Sequence, residues 1–101
     1  MAALGIVETR GMSAAVEATD AMCKDARVSV RQVVVPGGGH MAILVQGDVA
    51  AVTSAVSAGL AAAQKVGGDI ICTNVIPNPH IELQQYLDAE FPGNTEEDGE
   101  V

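Results

Sequence analysis

Two stretches with helical spacing are set among four short apolar runs, and that order constrains the fold more than any other feature of the chain. Ala3 to Val7 is apolar and reads as a strand, closed by a turn at Glu8-Thr9-Arg10-Gly11. Beyond Gly11, the residues Met12, Ala15, Val16, Thr19, Met22 and Cys23 recur three and four apart, as one face of a helix does. Lys24 falls in its last turn, where a cation suits the helix dipole. Val28 to Val35 is a β-branched run that Pro36-Gly37-Gly38-Gly39 must break, because proline lacks an N–H and glycine accepts positive φ. Met41 to Val45 resumes as a partner strand, so the glycines read as a hairpin loop.

The second half repeats the alternation. Gly47-Asp48 starts a helix with Asp48 as N-cap, followed at helical spacing by Val49, Val52, Val56, Leu60 and Ala63. Gly67 stands where a C′ glycine ends a helix. Gly59, inside that helix and costing about 1 kcal/mol against alanine, marks a close backbone approach among Ala58, Ala61 and Ala62. Asp69 to Ile76 supplies a fourth strand. Pro77-Asn78-Pro79 halts it, and Pro79 is placed to open a short helix through Leu83 and Leu87. The predicted architecture is an α/β fold, an α+β sandwich of the ferredoxin-like kind. It has a four-stranded sheet, two main helices on one face and a short C-terminal helix. Residues 1–87 form the domain, and residues 88–101 read as a flexible acidic tail.

Composition bears on how such a sandwich can be stable. Of the 101 residues 49% are hydrophobic, but Tyr86 and Phe91 are the only aromatics, and 16 alanines and 14 valines dominate. A domain this small buries only about 65% of its unfolded surface. Small side chains also gain less from burial, at about 25 cal/mol per Å². A deep private cleft is therefore excluded, and part of the apolar surface is expected to be buried against other chains. The net charge of −8 divides into −6 over residues 88–101 and −2 over residues 1–87. With no Lys/Arg cluster and so few aromatics, nucleic acid is not an expected partner. Cys23 and Cys72 form no CxxC and read as two buried, reduced thiols. No signal peptide opens the chain, and no apolar run approaches the ~20 residues that span a bilayer, so a soluble cytoplasmic protein is expected.

Reactive chemistry is hard to find. The serines stand in no GxSxG elbow. His40 and His80 are far apart and neither belongs to a metal-spacing pattern. Glu8-Thr9-Arg10 reads as a solvated or interface salt bridge at a strand end. The triglycine lacks the Gly-Lys-Ser/Thr continuation and the helix of a phosphate loop, and leads instead into an apolar strand. No catalytic residue, cofactor or metal is predicted.

Several segments, taken in order, resemble one family. They are Ala3-Leu4-Gly5-Ile6-Val7-Glu8-Thr9-Arg10-Gly11, Glu17 to Met22, Lys24-Asp25-Ala26-Arg27-Val28, Gly37-Gly38-Gly39, Gly47 to Val52 and Val75-Ile76-Pro77-Asn78-Pro79-His80. Together, over about residues 3–87, they resemble the bacterial microcompartment (BMC) domain shell proteins of the single-domain, hexamer-forming class. The resemblance implies a flat homohexamer that tiles with neighbouring hexamers and other shell proteins into a compartment shell in the bacterial cytoplasm. It implies that Gly37, Gly38 and Gly39 line a sixfold pore for small polar metabolites, with Gly38 narrowest and Pro36 and His40 at the rim. Lys24 matches the family's edge lysine. The edge motif appears as Pro77-Asn78-Pro79-His80, with Asn78 where arginine is usual. The competing expectation is a ligand-binding regulator on the same ferredoxin-like scaffold, which calls for a mobile loop or a polar cleft between subunits. Neither catalysis nor a lipid membrane enters the reading.

Overall fold

A computed structural model describes residues 2–25 and 27–90; the expected tail beyond Glu90 lies outside the described residues. Seven elements follow in order: β1 (Ala3–Arg10), α1 (Met12–Asp25), β2 (Ser29–Gly37), β3 (His40–Gly47), α2 (Val49–Lys65), β4 (Asp69–Ile76) and α3 (Ile81–Glu90). The strands form one antiparallel sheet in the order β2-β3-β1-β4, the ferredoxin-like arrangement expected from the alternation.

Period-two alternation sorts the side chains to two faces. Ala3 and Val7 of β1, with Ile43 and Val45 of β3, meet α1 and α2 in the main core. Leu4, Ala42 and Leu44 point the other way and are covered by Leu87 of α3, with Ile6, Val34, Ile76 and Leu83 around them. Asp88 and Glu90, assigned from sequence to the tail, belong to α3, whose helix runs past Leu87.

β1 is longer than its sequence suggested. Glu8, Thr9 and Arg10 do not turn but pair with β3 and β4, and the chain turns at Gly11, with φ +97°. The polar character of these three residues hid their place in a central strand, where Thr9 is fully buried. In α1 the buried face is Ala14, Ala15, Ala18 and Met22, whereas Met12, Val16 and Cys23 of the expected apolar face are exposed. The helix packs closely on α2, its small alanines facing that helix and Met22 seated over Gly59, where no side chain competes for the space.

Helix ends follow local rules with two departures. The C-terminus of α2 is a Schellman motif: the Gly67 N–H donates to the Gln64 carbonyl and the Gly68 N–H to the Ala63 carbonyl, each at 2.9 Å, with Gly67 at φ +74°. Asp48 stands at the N-cap of α2, but its side chain makes no capping bond; only its carbonyl serves, accepting from the Val52 N–H. At α3 the cap is His80 rather than Pro79. His80 Nδ1 accepts from the Glu82 N–H at 3.0 Å, its carbonyl accepts from Leu83 and Gln84, and Pro79 is buried just outside the helix.

Candidate functional site

The triglycine closes the β2–β3 hairpin. β2 runs to Gly37, which pairs with His40, leaving Gly38 and Gly39 as the two-residue turn. Gly37, Gly38 and Gly39 have φ of +123°, +64° and +80°. Positive φ at both central positions is what a two-residue hairpin of type I′ needs, and glycine takes it without a steric cost. A Cβ built on Gly37 or Gly38 would meet nothing within 4 Å, so the turn projects clear of its own chain. Pro36 precedes it on an edge strand, where the register slips by one residue between Val34 and Gly37, the setting in which a sheet tolerates proline.

The base of the turn is tied to the middle of the sheet. The Gly11 N–H donates to the Gly39 carbonyl at 2.8 Å. Arg10 is the cross-strand partner of His40 on one side and Asp69 on the other. Its Nη1 donates to Asp69 Oδ2 at 3.0 Å, and its Nη2 lies 3.4 Å from His40 Nε2. The Arg10 stem lies alongside Gly39, with Cγ 3.8 Å from where a Cβ there would sit. The salt bridge expected at the Glu8-Thr9-Arg10 strand end is present, with Asp69 as the partner that linear sequence could not identify.

Lys24 and the 77–80 segment lie at the other end of the sheet. β1 pairs Arg10 with His40 at one end and Ala3 with Gly47 at the other, and β4 finishes at the Leu4 end. α1 departs from Gly11 and its 14 residues carry Lys24 about 20 Å along the sheet toward that far end. Lys24 is exposed and holds Asp20 at 3.0 Å, one turn back. Asn78 and His80 are exposed, Pro79 is buried. The structure therefore groups Pro36 to His40 at one end and Lys24 with Asn78, Pro79 and His80 at the opposite one.

Both cysteines are exposed and free on the single chain, which corrects the expectation of buried thiols. Cys23 lies on the open side of α1, in a largely apolar groove of about 460 Å³ lined also by Ala15, Val16, Thr19, Asp20, Val33 and Met41. Cys72 is on the edge strand β4, where its Sγ donates to Glu8 Oε1 at 3.1 Å. That hydrogen bond to the carboxylate, with burial and the carboxylate's charge adding to it, raises the Cys72 thiol above its ordinary value. Glu8→Gln is therefore expected to lower it, and alkylation of Cys72 by iodoacetamide at pH 8 should run faster in the variant, as followed by mass spectrometry. An unchanged rate would show that Glu8 does not hold the thiol protonated.

Arg31 is a residue the sequence did not single out. It is the extra residue where β2 slips register between Val30 and Gln32. The bulge turns its side chain toward Gln46 and toward Asp88 of α3, and the side chain is only 13% exposed. Among the described residues, no group of three or more His, Cys, Asp or Glu is arranged to hold a metal, and no helix is long and apolar enough to cross a membrane.

Comparison with known proteins gives this geometry a family. The chain is similar to the bacterial microcompartment shell protein EutM of Salmonella typhimurium, 46% identical over 94% of this chain and 98% of the relative. It is also similar to the carboxysome shell protein CcmK2 of Synechocystis, 41% identical over 94% and 93% respectively. A third relative is the microcompartment shell protein PduA of Citrobacter freundii, 46% identical over 84% of this chain and 90% of that one. Among solved structures, a microcompartment protein from Desulfitobacterium hafniense DCB superposes with a TM-score of 0.75 at 34% identity over 82% of the chain. The chain spans about half of that structure, 47% of its length. Residues 3–79 match the BMC domain, and with these relatives the match shows that the chain belongs to the BMC-domain family of shell proteins.

Proposed function

We propose that this chain is a structural, non-catalytic subunit of a bacterial microcompartment shell, built as a cyclic homohexamer. The shell domain runs to the end of α3 at Glu90, and residues 91–101 are an acidic extension of it. The observation that carries the reading is the near full-length similarity to single-domain shell proteins, 46% identity with 98% of the relative covered. The arrangement of the ends supports it. One end of the sheet carries a side-chain-free turn that projects into open space, and the other carries Lys24, Asn78, Pro79 and His80. A subunit set with its strands radial brings the first end to a sixfold axis and the second to the rim of a disc. The large exposed apolar residues, among them Met12, Val16, Val33 and Ile71, are the surface that subunit packing would cover.

In this assembly Gly37, Gly38 and Gly39 line the pore, edged by peptide dipoles rather than side chains, with Pro36 and His40 at its rim. Small polar metabolites pass there. Lys24 and Asn78 to His80 meet neighbouring hexamers and other shell proteins, and the shell lies in the bacterial cytoplasm, engaging neither nucleic acid nor lipid. The native mass is the test: six chains of 10.3 kDa come to about 62 kDa, and purified protein should form sheets or tubes by electron microscopy. A dimer or trimer that binds a nucleotide or an amino acid would instead identify a regulator on the same scaffold.

The pore assignment has its own test. Gly38→Asp keeps a residue type that tolerates positive φ and sets six carboxylates in one ring. At an effective dielectric of ~20 and a spacing of ~8 Å, each neighbouring pair repels by about 2 kcal/mol, and an entering anion meets all six. Anion passage through assembled sheets is expected to fall about tenfold or more. Unchanged passage would remove Gly38 from the pore.

A further inference from the structure

We infer that the Arg10–Asp69 ion pair, at the base of the glycine turn, sets the charge selectivity of the opening, Arg10 drawing anions in and Asp69 holding that attraction in check. The inference rests on the pore reading above and names the residues that would tune it. The turn has no side chain to pack, and Gly37 and Gly38 have open space where a Cβ would be. The turn carries no charge of its own, and the charged side chains tied to its base stand beside it. They form a row across three strands. Asp69, Arg10 and His40 are register partners, joined by the 3.0 Å Arg10–Asp69 ion pair and the 3.4 Å approach of Arg10 to His40.

Distance and exposure let the row act on the opening. The Arg10 Cγ lies 3.8 Å from where a Cβ on Gly39 would sit, which sets the guanidinium beside the turn, on the scale of the ~8 Å Debye length at physiological salt. Both charged side chains remain more than half exposed, 55% for Arg10 and 59% for Asp69, so neither is sealed from the solvent an ion would cross. In the intact pair the two charges largely cancel, leaving the backbone dipoles of the turn to act. Sixfold symmetry multiplies any imbalance: loss of Asp69 alone uncovers six guanidinium groups around the opening, and loss of Arg10 alone uncovers six carboxylates.

This distinguishes a selectivity role from a staple. If the ion pair only braces the hairpin, removing either partner loosens the same contact and shifts passage in the same direction. If it tunes charge, the two removals shift it in opposite directions. The experiment coats an electrode with assembled sheets at low ionic strength and reads the ratio of limiting currents for iodide oxidation and thallium(I) reduction. Asp69→Asn is expected to raise the iodide-to-thallium ratio about threefold or more and Arg10→Gln to lower it by a similar factor, with both effects shrinking as salt is added. Gly38→Asp is run alongside. If that variant lowers the ratio while Asp69→Asn and Arg10→Gln shift it the same way or leave it unchanged, the inference is overturned and the pore stands. If Gly38→Asp also leaves it unchanged, the pore reading itself fails and takes the inference with it. Should Arg10→Gln not assemble, Asp69→Asn alone decides: no rise in the ratio overturns the proposal.

Discussion

Gly5→Val is expected to destabilise the domain by about 3 kcal/mol or more, lowering its Tm by at least about 12 °C in thermal denaturation at matched protein concentration. Gly5 sits mid-way along β1 on the face that meets α2. A Cβ there would lie 2.6 Å from Val52 Cγ1, 2.9 Å from Val56 Cγ2 and 3.1 Å from Val45 Cγ2. These neighbours are stiff, β-branched and buried, so none can swing aside. Relief requires α2 to lift from the sheet, and that uncovers the main core rather than one contact. A loss below about 1 kcal/mol would mean the helix is not seated as closely as these distances require.

The second large effect concerns the contact between α1 and α2. Met22 is fully buried and the largest side chain in the core, and it fills the space above Gly59. Met22→Ala should cost about 3 kcal/mol through lost burial and the cavity left behind, measured by urea unfolding. Gly59→Ala alone puts a Cβ 2.8 Å from Met22 Cγ and 3.1 Å from its Sδ, so the gain in helix propensity of about 1 kcal/mol is consumed by the clash. In the Met22→Ala background the clash is absent and the new methyl enters the vacated space. Gly59→Ala is then expected to stabilise by about 1 kcal/mol or more, a coupling that a double-mutant cycle reads directly. Additive effects would place Met22 elsewhere than over Gly59.

This pair of residues also illustrates what can be read in a linear chain. An interior helical glycine signals that something comes close, and Gly59 is indeed a close approach. The neighbour is Met22 with the Ala18 carbonyl on α1, however, rather than the alanines of its own helix. Spacing identified α1 but not its buried side. Met12, Val16 and Cys23 are apolar and on period, yet they remain exposed on a single chain because the 14-residue helix meets its partner along Ala14, Ala15, Ala18 and Met22. Hydrophobicity ranks residues by their cost in water. Which of them a neighbour reaches depends on the helix's rotation against the rest of the core.

The candidate site divides in the same way. The glycine turn was legible because positive φ at consecutive positions is a local demand, and the Gly67 helix end was legible for the same reason. So was the succession of seven elements, since periodicity, proline and glycine act within a few residues of where they stand. The pairing of Arg10 with Asp69, 59 residues away, was not legible, and neither was that of Arg31 with Asp88, 57 residues away. Each depends on strand register, and the bulges at Ile71 and Arg31 set that register by shifting it one residue. By itself the sequence determined the order of elements, the ferredoxin-like class, the hairpin and the family, because these follow from local backbone preference and from motifs in fixed order. The tertiary structure alone decided which apolar face is covered, which charges meet, and that the glycine turn and the Lys24 end lie at opposite ends of one sheet. Those outcomes come from long-range contacts, whose partners no local preference specifies.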